Sequence, residues 1–137
     1  MNKRTLEKER LDRTHVRQVR SAPAQFRTEQ TDDGKKHITG YFATFEGEYD
    51  MWYGDVETID RHAFDGQTTN DVRALIDHVT HLVLGRTIAH TLELKVDDHG
   101  LWGDIVVNED DTDAMNCWHR VQRGDVTQCS FGFDIVR

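Results

Sequence analysis

The chain has 137 residues and a mass of 15.9 kDa, the size of one domain with a modest single core rather than of a multidomain machine. Hydrophobic residues make up 36% and charged residues 31%, and no apolar run approaches the ~20 residues that a membrane-spanning helix needs, so a soluble protein without a membrane partner is expected. Net charge is -8 overall, which argues against general nucleic-acid binding, but ten Lys/Arg against six Asp/Glu in residues 1–36 give +4, and seven against nineteen in 37–137 give -12.

This split divides the chain into a basic arm, residues 1–36, and an acidic body, residues 37–137. The first ten residues are charged where a secretory signal is apolar, and Cys117 and Cys129 alone make no disulfide framework, so an intracellular compartment is the simpler reading. In the arm, Leu6, Leu11, Val16 and Val19 trace no clean helical stripe, which predicts a partly helical or flexible segment. Pro23 is read as a hinge into the body, because the residue before a proline is pushed away from helix.

The body reads mainly as strands, with 38–45, 51–59 and 72–76 as candidates and Gly40 and Gly54 marking bulges or bends. Leu92, Leu94 and Val96 alternate with polar residues, 97–100 form a turn, and Leu101, Gly103, Ile105 and Val107 share one face of the next strand, which predicts a hairpin. One helix is predicted after Thr112 as its cap, with Ala114, Cys117, Trp118 and Val121 on the sheet-facing stripe and Gly124 as its stop. The last segment alternates again and sets Cys129 inward and Ser130 on the polar face beside Gly132. The fold class is therefore mainly β with a few helices, α+β, its sheet curved or closed.

Serine is scarce: Ser21 lies in the arm, which leaves Ser130 as the sole serine nucleophile of the body. A serine needs a neighbouring base, and His78, at the end of the strand over 72–76 and the mouth of a loop, is the best placed of eight histidines. Taken alone, a strand-end histidine and a polar-face serine are more often bystanders. A metal site is a poorer reading, because His78 and His81 form only an HxxH pair, while Cys117 and Cys129 face the core and no CxxC or HExxH exists. Cys129 as nucleophile is disfavoured by the same inward direction. The acidic run Glu109-Asp110-Asp111 reads as a solvated loop, or as a site for a neighbour's basic arm. The arm itself shows no specific nucleic-acid site.

Six segments, Gly40–Phe45, Arg61–Asp65, Asp71–His78, Leu84–Thr87, Asp98–Leu101 and Ser130–Phe133, stand in an order and spacing that resembles the prohead proteases of tailed phages. The resemblance implies a serine endopeptidase with a herpesvirus-protease-like closed or partly closed β barrel, His78 as general base and Ser130 as nucleophile. It implies cleavage of the phage major capsid protein and scaffold inside the prohead in the host cytoplasm, self-cleavage, and no cofactor, with a homo-oligomer left open. Val79 follows His78 where the family has a second acidic residue, and His62 stands where it has glycine. The family also continues beyond the nucleophile strand, so the domain is expected to be truncated at its C-terminus. Downstream segments would supply the third catalytic member and the oxyanion donors. Asp77, Glu93, His90 and Asp134 are the local groups able to orient His78, although Asp77, its neighbour in a strand, is expected to face away. The alternative is a capsid- or scaffold-binding assembly protein of the same fold whose catalysis has decayed.

Overall fold

The computed structural model describes residues 18–23, 25–46, 49–50, 56–126 and 128–133. Its strands are β1 Gln18–Pro23, β2 Phe26–Gln30, β3 Lys36–Thr44, β4 Tyr49–Asp50, β5 Val56–Glu57, β6 Arg73–Leu75, β7 Val83–Arg86, β8 Leu92–Val96, β9 Gly100–Val106 and β10 Gln128–Phe133. A 3-10 turn covers Thr87–Ala89, and helix α1 covers Thr112–Arg123.

β9 holds the centre because its alternation is complete: Leu101, Gly103, Ile105 and Val107 are buried while Trp102, Asp104 and Val106 are half-buried. It lies between β3 and β8 in a four-stranded antiparallel sheet of order β2-β3-β9-β8. The β8–β9 hairpin forms as its sequence predicts, closed by Asp97 N–H donating to the Gly100 carbonyl at 3.0 Å. In β3 the register slips between Tyr41 and Ala43, so Phe42 is an extra, bulged residue. The ring of Phe42 lies over Gly103, where a Cβ would approach it to 2.1 Å, and packs against Phe26 with centroids 5.4 Å apart. The bend expected near Gly40 is thus made two residues later.

Helix α1 covers this sheet with Ala114, Trp118 and Val121, which join Ile38, Leu92, Ile105 and Val107 in one core. Its N-cap is Asp111 rather than Thr112: the Asp111 carboxylate accepts the Asp113 N–H at 3.0 Å, so Thr112 is the first helical residue. Gly124, at φ 87, ends the helix and donates back to the carbonyls of Arg120 and Val121. Lys36, whose Nζ lies 5.7 Å from the centre of the Trp118 ring, pairs with Glu109 at 2.5 Å. Two of the three acids in the run 109–111 therefore already have structural partners.

The stretch read as an arm carries two strands. β2 pairs with β3, and β1 pairs antiparallel with β10, Gln18 opposite Phe133 and Pro23 opposite Gln128. Pro23 ends β1, a position where a missing N–H is tolerated. Residues 1–17 lie outside the described residues, as do 51–55 of the strand expected over 51–59. The described architecture is mainly β with one helix, α+β. Its ladders β1-β10, β4-β5 and β6-β7 are separate from the four-stranded sheet, so these strands do not close into a barrel. No helix among the described residues is long and apolar enough to cross a membrane.

Candidate active site

The two residues singled out for catalysis sit on different ladders. His78 belongs to the β6–β7 hairpin, where the strand is shorter than 72–76 and stops at Leu75. The chain then makes a tight turn in which the Val79 N–H donates to the Ile76 carbonyl at 3.0 Å, with Asp77 at φ 52 and His78 at φ 56. Two successive left-handed residues inside an i to i+3 bond are the signature of a type I′ turn. Asp and His tolerate this region better than most side chains, yet each such residue costs on the order of 1 kcal/mol or more. The tip is closed further by Ile76 N–H donating to Leu82 and Leu82 N–H donating to Val79, each at 3.0 Å.

His78 is thus not a strand-end residue but sits on an exposed, hydrogen-bonded tip. The expectation that Asp77 faces away from it rested on strand alternation, which does not operate in this turn. The tip stands close enough to α1 for charge to be felt: burial pushes the Cys117 thiol up, Arg120 opposes the shift, and Asp77 adds to it. Of the other groups considered for orienting His78, Glu93 pairs with Lys95 at 3.3 Å on the exposed side of β8. His90 caps the 3-10 turn at φ 58, donating its N–H to Thr87. Asp134 lies outside the described residues.

The hairpin that carries the tip is anchored at its base. Val72 N–H donates to the Thr87 hydroxyl at 2.9 Å, and Arg86 N–H to the Thr91 hydroxyl at 2.9 Å. The Arg86 guanidinium makes two bonds to Asp71, at 2.6 and 2.5 Å, and holds that carboxyl below its ordinary range. Gly85 lets β7 lie against the end of β8: a Cβ there would meet the Thr91 carbonyl oxygen at 2.7 Å.

Ser130 lies on β10 directly opposite Ser21 of β1. Ser21, placed in the arm by the sequence, is thus on a strand and is the register partner of Ser130. The strand over 18–23 was not read from the sequence because its signal lay in the pairing partner rather than in those residues. Cys129, opposite Ala22, is half-buried, and burial pushes its thiol up to about 11, which makes it a poor nucleophile at neutral pH. Among the described residues no three His, Cys, Asp or Glu side chains gather as a metal site.

Compared with known families, residues 23–137 match the model of the caudovirus prohead serine protease. The chain belongs to that family. It is accordingly a serine peptidase of the prohead type, and the match spans both the His78 tip and Ser130. β1 precedes residue 23 almost entirely, so Ser21 falls outside the matched stretch. Searches among curated proteins and among solved structures find no match.

Proposed function

We propose that this prohead protease cleaves peptide bonds by acyl transfer, with Ser130 as nucleophile and His78 as general base. The observation that carries the reading is the placement of His78 on an exposed, strained turn tip inside the matched family stretch. His78 takes the Ser130 hydroxyl proton as the oxygen bonds to the substrate carbonyl carbon. The resulting imidazolium then returns the proton to the departing amine as the C–N bond breaks, and water releases the acyl group by the same route. Backbone N–H groups facing the oxyanion would contribute about 3 to 4 kcal/mol per donor. A herpesvirus-protease-like barrel, closed or partly closed, would bring the β6–β7 tip and β10 to one rim.

The substrates in this reading are the phage major capsid protein and its scaffold, cut inside the prohead in the host cytoplasm, together with the protease itself. Co-expression with the capsid protein, followed by mass spectrometry of new termini, tests it. New capsid termini that disappear with Ser130→Ala are expected. A capsid protein left intact by the wild-type chain, or cut equally by the variant, contradicts it.

A further inference from the structure

Next to the His78 tip the surface opens into a groove of about 420 Å³. Its apolar lining includes Leu84 and Val106, and its polar lining includes Thr80, two residues past His78, and Asn108. Both charged residues that line it are cations, Arg73 and Arg86. They are register partners across the β6–β7 ladder, where like charges repel.

One carboxylate, Asp71, serves the pair unequally. The Arg86 guanidinium is taken up by the two bonds to Asp71, whereas Arg73 Nη2 stands 3.6 Å from it, beyond hydrogen-bond reach, with its side chain about half exposed. One negative charge against two positive ones leaves the groove wall cationic, in a body whose net charge is strongly negative. A guanidinium held only by a 3.6 Å ion pair, beside the apolar lining of Leu84 and Val106, keeps donors to offer a carboxylate carried on a chain.

We infer that this groove is a substrate subsite for an acidic residue, an Asp or Glu of the polypeptide being cleaved, with the Arg73 guanidinium receiving its carboxylate. The inference rests on the His78–Ser130 reading for its place beside the reacting groups. Acidic segments are disfavoured by the rest of the body, so a local cation here selects by position as well as by charge.

The test uses the full chain with Ser130→Ala, so that binding is read without turnover. Fluorescein-labelled octapeptides, identical except for a central Glu, Gln or Lys, are titrated by fluorescence anisotropy. The Glu peptide is expected to bind about tenfold tighter than the Gln peptide. Adding Arg73→Gln should remove the difference, and Arg73→Glu should shift the preference to the Lys peptide. Equal binding of Glu and Gln peptides, or a Glu preference that survives Arg73→Gln, overturns the subsite. Fluorophosphonate labelling of the wild-type chain is scored in parallel: labelling without a Glu preference sinks the subsite alone. A Glu preference without labelling sinks the catalytic pair and its claim to be a substrate site.

Discussion

Ser21 and Ser130, the only serines in the chain, are register partners in the antiparallel β1–β10 ladder. The strand that carries the proposed nucleophile is therefore supported by a segment lying before the family-matched stretch. A chain starting at Ala24 is expected to lose this support and expose the hydrogen-bonding edge of β10, with Tm lower by more than about 5 °C and concentration-dependent aggregation. A chain starting at Gln18 should keep the ladder. Thermal melts of the two against the full chain check this, and equal Tm values for both would refute it.

The type I′ turn separates stability from activity. Glycine adopts the left-handed region without strain, so Asp77→Gly is expected to raise stability by up to about 1 kcal/mol, and Asp77→Val to lower it by about 1 to 2 kcal/mol. His78→Gly should be as stable as the wild type or more so, yet inactive. Denaturant unfolding alongside a peptidase assay reads both effects. Loss of stability in His78→Gly equal to its loss of activity would make the residue structural.

Cys129 gives a pH dependence with a definite sign. Its thiol is raised from an ordinary 9.0 to about 11 by burial, so the fold favours the neutral form. That contribution is complete below about 9 and is lost as pH climbs toward about 11. Stability measured across this window should fall less steeply in Cys129→Ala than in the wild type. Iodoacetamide at pH 8 should modify Cys129 far more slowly in the folded chain than in urea, since burial raises the thiol and leaves far less thiolate to react.

Helix α1 distinguishes two adjacent capping candidates. Asp111→Ala removes the oxygen that accepts the Asp113 N–H and is expected to cost about 1 kcal/mol, whereas Thr112→Ala should cost only a few tenths. Chemical denaturation of the two variants checks this ordering, and a larger loss at Thr112 would reverse the assignment.

What the sequence made legible was what repeats along it. The alternation Leu101, Gly103, Ile105, Val107 marked β9, and the spacing Ala114, Trp118, Val121 marked the buried face of α1, because each pattern matches the period of its own backbone. Features imposed by a distant partner were not legible. Residues 18–23 carry no apolar alternation and end in proline, so their strand state comes from pairing with β10. The bulge at Phe42 depends on its contact with Gly103, and the Asp111 cap could not be chosen over Thr112 from residue types that both cap well. At the proposed site, the left-handed turn that carries His78 was not legible. Asp and His carry a weaker signal for such turns than Asn-Gly does.

The most direct test of the central claim is fluorophosphonate labelling of the full chain at neutral pH, with the modified residue located by mass spectrometry. The account predicts a single adduct on Ser130, abolished in Ser130→Ala and strongly reduced in His78→Asn, a substitution that preserves left-handed tolerance at the tip. Labelling at another residue, or labelling of Ser130 undiminished in folded His78→Asn, would contradict it.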